Sequence, residues 1–148
     1  MSENTIHIDT ERETVFAVLS DGWKYTNWVV GTSHMRAVSA DWPAQGAKLF
    51  HSAGAWPLMT RDETEVRSVE PGRRLVLEAH GGPLGSAVID MELDDEGSGC
   101  RLTLREEPIA GPGKWLHNPL AEALLHRRNT ESLARLAALC ERRTEPSE

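Results

Sequence analysis

Apolar and polar residues alternate in short segments along most of the chain, a pattern typical of half-buried β-strands. Ile6 and Ile8 flank His7 in the first segment, and similar segments follow from Thr32 onward. Residues that favour turns separate the later segments, at positions 40–46, 70–73, 81–85 and 94–99. The pattern predicts one early strand and about six later antiparallel strands, with one apolar face and one solvated face.

Two short helices are predicted between the first strand and the later ones. Thr10 and Glu13 have the spacing of a capping box, so we expect a helix to begin there and to end near Gly22. A second short helix or turn carries Tyr25 and Trp28. These elements would connect the first strand to the hairpins.

The one long helical pattern spans Asn118–Arg143. Asn118 is a good N-cap, and Pro119 suits the first helical position, where a missing N–H costs nothing. One side of this helix is apolar and contains Ala121, Leu125, Leu133, Leu136, Leu139 and Cys140. We expect this side to cover the apolar face of the sheet.

Polar residues interrupt the apolar side of the long helix near its middle. Asn129 and Ser132 face the sheet if the periodicity is followed, and Arg128 lies at the edge. A buried amide or hydroxyl needs a hydrogen-bond partner, which can be a ligand, a water molecule or the backbone. This interruption is the strongest functional signal in the sequence.

Composition and charge limit the classes of function. The 148 residues carry a net charge of −7, which argues against a nucleic-acid partner. No apolar run approaches a membrane span and the N-terminus lacks signal-peptide features, so we expect one domain over residues 1–148 in the cytoplasm. Cys100 and Cys140 have no metal-type spacing and are expected to be buried thiols. No pattern indicates an oligomeric state.

Four segments carry a resemblance to a known superfamily: IDTERETVFAVLSD, WKYTNWVVGTSH, VEPGRRLVLEAHG and NPLAEALLHRRNTESLARLAAL. With the order of elements, they look like the helix-grip superfamily called SRPBCC, which includes START-like domains, the birch-pollen allergen group and polyketide cyclases. The resemblance covers essentially the whole chain and is nearest to polyketide cyclase/dehydrase-like members. It implies an α+β fold in which a curved antiparallel sheet and the long C-terminal helix enclose a hydrophobic cavity.

The resemblance implies three classes of function. Members of this superfamily bind lipids, hormones or polyketides in the cavity, and some catalyse cyclisation or aromatisation. We therefore expect binding of a small hydrophobic molecule, lipid- or polyketide-like, with a polyketide cyclase/aromatase-type enzyme as the alternative. A protein-interaction module, similar to the chaperone-activating members, is a third class.

Motifs for nucleophilic, metal or nucleotide chemistry are missing from the sequence. It contains no G-x-S-x-G, H-E-x-x-H, C-x-x-C or dinucleotide fingerprint. The segment from Gly111 to Lys114 lacks the spacing and the following Ser or Thr of a phosphate loop. We therefore expect no metal site and no cofactor.

Three polar residues are candidates for catalysis, although strand parity does not tell which side Arg36 faces. His51 shares a side of its strand with Leu49, and His51, Asn129 and Arg36 are candidates for polarising a carbonyl group or moving a proton. The alternative for His51 is a core histidine whose hydrogen bonds are satisfied. Glu106 follows the inward register of its strand, but we expect it at an exposed strand end. The predicted ligand-binding residues are Trp28, His51, Trp56, Leu77, Ile89, Met91, Trp115, Leu125, Asn129, Ser132 and Leu136.

Tryptophans near turns are candidates for the wall of the cavity. Trp28 and Trp56 offer broad apolar faces with one donor, which suits contact with a planar, partly polar ligand. Trp115 is expected either to cover the cavity as a lid or to pack against the end of the sheet. A purely structural role in filling the core is the alternative for all three residues.

Overall fold

A computed structural model describes residues 2–30, 32–53, 60–81, 85–111 and 119–142. Trp56, Trp115 and the predicted N-cap Asn118 lie outside these residues. All other candidate site residues lie within them, so their positions can be compared with the predictions from sequence.

The described strands form one curved antiparallel sheet with the order β1-β7-β6-β5-β4-β3-β2. Its strands are β1 (Ser2–Ile8), β2 (Thr32–Val38), β3 (Lys48–Ala53), β4 (Thr60–Glu70), β5 (Arg74–His80), β6 (Ser86–Glu96) and β7 (Gly99–Ala110). Strands β2 to β7 pair in chain order, and β1 completes the sheet by pairing with β7. The predicted curved sheet of seven strands and the α+β helix-grip fold are confirmed.

Three α-helices lie within the described ranges: α1 (Arg12–Leu19), α2 (Tyr25–Trp28) and α3 (Pro119–Arg142). A 3-10 turn at Gly22–Lys24 leads directly into α2. Helix α3 contacts β1, α1 and α2. The two short helices and the long C-terminal helix therefore occupy the places that the sequence predicted.

The predicted capping box at the start of α1 is wrong. The N-cap is Glu11, whose side chain makes no capping hydrogen bond, and the helix begins at Arg12. Thr10 lies one residue too early to cap the helix and is buried. Glu11 has the extended backbone of an N-cap, with φ −68° and ψ 151°, so the backbone rather than the side-chain motif determines where α1 begins.

Helix α3 is anchored to the sheet over its second half. Leu133, Leu136 and Cys140 are at most 1% exposed and belong to the same core cluster as Ile8 and Cys100. Both cysteines are buried thiols, as the sequence predicted. No residue of α3 before Asn129 is buried, so the first half of the helix covers the sheet less closely than the second half.

A polar contact connects β1 to the middle of α3. The buried Asn4 donates from Nδ2 to the backbone carbonyl of His126 at 3.0 Å and to Thr130 Oγ1 at 2.9 Å. Ser2 Oγ donates to Asn4 Oδ1 at 3.2 Å, which fixes the orientation of the amide. These bonds hold α3 beside β1 at the level where the helix first becomes buried.

Candidate functional site

An open cavity of about 330 Å³, called here the outer cavity, lies between the inner face of the sheet, the region of α2 and Arg128 of α3. The register of the sheet explains its shape. Ala79, Ala87 and Pro108 form one row across β5, β6 and β7, and these small side chains leave space above them. The next row, Leu77, Ile89 and Glu106, has larger side chains. The change in side-chain size along the strands therefore opens the cavity at one end of the sheet.

A smaller space of about 30 Å³, called here the inner pocket, adjoins the outer cavity. Both spaces are lined by Tyr25, Val29, Ile89, Glu106 and Arg128. The inner pocket is additionally lined by the predicted site residues Trp28, Leu77, Met91, Asn129 and Ser132. Its size is suited to a single water molecule or one small chemical group.

His51 points inward, as its position in β3 predicted, and lines the outer cavity. Its Nε2 lies 2.9 Å from Thr64 Oγ1, while its buried Nδ1 has no hydrogen-bond partner among the described residues. Burial lowers the pKa of His51, and the positive charge of Arg36 acts in the same direction while Asp62 opposes it. His51 is therefore a neutral imidazole at neutral pH.

Tyr25 extends the polar cluster around His51. The two rings lie with their centroids 5.5 Å apart, and the Tyr25 hydroxyl also forms a hydrogen bond with Thr64. Burial raises the pKa of Tyr25 to about 12, so its hydroxyl stays protonated at neutral pH. Thr64 has one hydroxyl proton and donates it either to Tyr25 or to His51. If Thr64 donates to His51 Nε2, then Nδ1 carries the ring proton and can donate it. If Thr64 donates to Tyr25, then Nδ1 has the lone pair and can accept.

An ion pair between Glu106 and Arg128 lies at the boundary of the two spaces. Arg128 Nη2 donates to both carboxylate oxygens of Glu106, at 2.6 and 2.9 Å. The Glu106 side chain is 9% exposed, whereas that of Arg128 is 41% exposed and reaches solvent. Burial raises the pKa of Glu106, and Arg128 offsets only part of this effect.

The expectation that Glu106 stands at an exposed strand end is wrong. Strand β7 continues to Ala110, and Glu106 pairs with Ser2 on one side and Ile89 on the other. Its side chain therefore lies on the inner face, beneath the middle of α3. The register shared with Leu102 and Leu104 was the sequence signal for this position.

Asn129 and Ser132 are both 3% exposed and face the sheet, as the interruption of the helical pattern predicted. Ser132 Oγ accepts a hydrogen bond from the backbone N–H of Val30 at 3.0 Å, which connects α3 to the end of α2. Asn129 Oδ1 accepts from Arg128, whereas Asn129 Nδ2 is buried and has no partner among the described residues.

The other predicted site residues have different positions. Leu136 is fully buried in the core, and Leu125 is partly exposed on α3; neither lines the outer cavity or the inner pocket. Arg36 is exposed and donates to the backbone carbonyls of His51 and Asp62, at 3.4 and 3.2 Å. It therefore acts on the site through the backbone and through its charge rather than by lining the cavity.

The described part of the chain has neither a metal-binding cluster nor a membrane-spanning helix. No group of three His, Cys, Asp or Glu residues there could hold a metal ion. None of the helices described is long and apolar enough to span a membrane. Besides His51, Tyr25 and the Glu106–Arg128 pair, the polar residues that line the outer cavity are Thr32, Asp62, His80 and Ser86.

These features define a helix-grip protein with an open cavity between the sheet and the long helix. A model of the family described as polyketide cyclase/dehydrase and lipid transport matches residues 2–141. The chain belongs to this family, and the resemblance to the SRPBCC superfamily is confirmed. Among curated proteins no sequence matches the chain.

Several solved structures share the fold at low sequence identity. The protein CV1439 from Chromobacterium violaceum is 19% identical with a TM-score of 0.71, and the match covers 95% of this chain and 99% of that one. DynU16 from the dynemicin biosynthetic locus is 19% identical with a TM-score of 0.69 over 95% of this chain and 46% of its own. The di-domain ARO/CYC protein StfQ from the steffimycin biosynthetic pathway is 13% identical, with a TM-score of 0.72, over 95% and 50%. The chain thus spans about half the length of the last two proteins.

We expect the imidazole of His51 to titrate below 6.5, because burial disfavours its charged form. Histidine Cε1–H resonances followed by NMR against pH would measure the midpoint, with His51→Gln used to assign the signal. As the pH falls below 6.5, the unfolded chain binds a proton at His51 before the folded protein does. The contribution of His51 to the free energy of unfolding is therefore lost in this range. A midpoint above 6.5 would contradict the described burial of this ring.

We expect Glu106→Gln to change the pH dependence of the free energy of unfolding. The folded protein keeps the Glu106 proton to a higher pH than the unfolded chain, whose carboxyl titrates near 4.5. Protonation therefore favours folding, and the stability of the wild type relative to Glu106→Gln falls as the pH rises from 4.5 toward neutrality. Urea unfolding across this range would measure it, with the exposed Glu131→Gln as a control. A difference that stays constant or rises with pH would refute the assignment.

Proposed function

We propose that the chain binds a small, mainly apolar molecule in the outer cavity. The observation that supports this most is an open space of about 330 Å³ with an apolar wall and a few convergent polar groups. Ligand pockets in proteins typically measure about 300–1,000 Å³ and have this mixture of apolar walls and few polar groups. The volume suits one small ring system rather than a long lipid chain.

The charges around the cavity argue against an anionic ligand. Glu106 and Arg128 neutralise each other within the site, and the acidic residue Asp62 lines the same cavity. Tyr25 and His51 add hydrogen-bonding groups that stay uncharged at neutral pH. A lipid- or polyketide-like molecule, with an apolar body and a few oxygen atoms, has the chemistry that such a site recognises.

A second candidate function is catalysis of the cyclase or dehydrase type. His51 supports it, because a neutral imidazole beside a cavity, positioned by Thr64, is suited to accept or donate a proton. The family description includes polyketide cyclases and dehydrases, and StfQ is described as an ARO/CYC protein. In such a role the cavity would hold a reactive molecule in one conformation while His51 moves the proton.

We also propose that the protein works in the cytoplasm as one domain. The net charge of −7 and the family match over residues 2–141 support this proposal. Cys100 and Cys140 are both buried thiols rather than a disulfide, which suits a reducing compartment.

Filling the outer cavity should abolish binding of an uncharged hydrophobic probe. We expect N-phenyl-1-naphthylamine to bind the wild type with a saturable increase in fluorescence. Ala87→Leu adds three carbon atoms to the row of small residues, and we expect it to weaken binding by about tenfold or more. Melting temperatures would show that the variant is folded.

The matched control is Ala134→Leu, the same substitution at an exposed position of α3. It should leave the affinity for the probe unchanged. Equal affinities for the wild type and Ala87→Leu would show that the probe binds elsewhere, and the proposed function would then be wrong.

A further inference from the structure

We propose that Asn129 recognises a carbonyl oxygen of the bound molecule, which enters the inner pocket while the apolar body stays in the outer cavity. This inference rests on the proposed function, because it assigns chemistry to a ligand of the same site. It makes Asn129 a specificity-determining residue and the ligand class a ketone or ester with an apolar ring system.

The first step is the unsatisfied amide of Asn129. Its side chain is 97% buried, and Nδ2 has no hydrogen-bond partner among the described residues. A buried N–H group without a partner is destabilising, so any group that accepts a hydrogen bond from it stabilises the site. The cost disappears when an acceptor occupies the adjoining space.

The second step is the orientation of the amide. Asn129 Oδ1 accepts from Nε and Nη2 of Arg128, at 3.4 and 3.3 Å. A guanidinium has only donors, so the amide oxygen rather than its NH₂ group must face Arg128. Glu106 holds Arg128 in place from the sheet. The NH₂ group therefore faces away from Arg128, in a residue whose side chain lines the inner pocket.

The third step is the chemistry of the inner pocket itself. Trp28, Leu77 and Met91 make its wall apolar. Both carboxylate oxygens of Glu106 accept from Arg128, and Asn129 Nδ2 has no hydrogen bond to either of them. Ser132 Oγ accepts from the backbone N–H of Val30, and its hydroxyl still has one proton to donate and one lone pair. The one buried polar atom of this pocket that lacks a partner among the described residues is a donor, Asn129 Nδ2, and a carbonyl oxygen satisfies it because that oxygen only accepts.

Two matched probes test this inference by isothermal titration calorimetry on the full chain. 2-Acetylnaphthalene carries a carbonyl group, and 2-isopropenylnaphthalene replaces the oxygen by a methylene group of nearly the same shape. We expect the wild type to bind the ketone about tenfold more tightly than the alkene. Asn129→Leu should bind both equally, and Asn129→Asp, which replaces the donor by an acceptor of the same shape, should prefer the alkene.

Asn27→Leu is the matched control, because Asn27 is exposed and lies outside both spaces. It should keep the preference of the wild type. Equal binding of the two probes to the wild type, or a preference for the ketone that persists in Asn129→Leu or Asn129→Asp, would overturn the role of Asn129 while leaving cavity binding intact. Failure of the wild type to bind either probe would instead overturn the proposed function, and this inference with it.

Discussion

The ion pair between Glu106 and Arg128 is the interaction on which the site depends. It joins the inner face of β7 to the middle of α3, at the point along the helix where its residues first become buried. Removing one partner would leave the other charge without compensation, and for Glu106 that charge is nearly buried. The pair also places Arg128 where it fixes the amide of Asn129. One contact thus controls helix position and hydrogen-bond direction.

The sheet provides the second constraint, through side-chain size. Large residues such as Leu77 fill the space under α3 where it covers the core. Ala79 and Ala87 follow one step along their strands and leave the space empty. The ion pair and Asn4 hold α3 at a fixed distance from the sheet. The helix therefore does not move closer where the side chains are small, and a cavity remains between them.

Much of this arrangement could be predicted from the sequence, because periodicity reports which side of an element faces inward. Alternation placed His51 on the inner face of β3, and the helical repeat placed Asn129 and Ser132 toward the sheet. Periodicity does not report, however, whether a residue on the inward face lies beside the cavity or further along, in the core. Leu136 shares the helical face of Asn129, yet it lies two turns further along, in the core rather than beside the cavity.

The chemical roles that sequence reasoning missed depend on contacts between distant elements. Glu106 has an inward register, but its burial requires Arg128, which is 22 positions away on another element. Tyr25 was assigned to a short helix, and its place in the His51 cluster follows only from the way α2 packs over β3 and β4. In both cases the chemical role arises from the tertiary structure, which local pattern cannot specify.

The central claim is that the ligand binds in the outer cavity, and intermolecular NOEs test it most directly. In the complex with 2-acetylnaphthalene, isotope-filtered spectra should show NOEs from the ring protons to the methyl groups of Ala87 and Ile89, which line the outer cavity. Leu120 and Leu124, the exposed leucines of α3, should show none. NOEs confined to those two leucines would place the ligand on the outer surface of the helix and contradict the account.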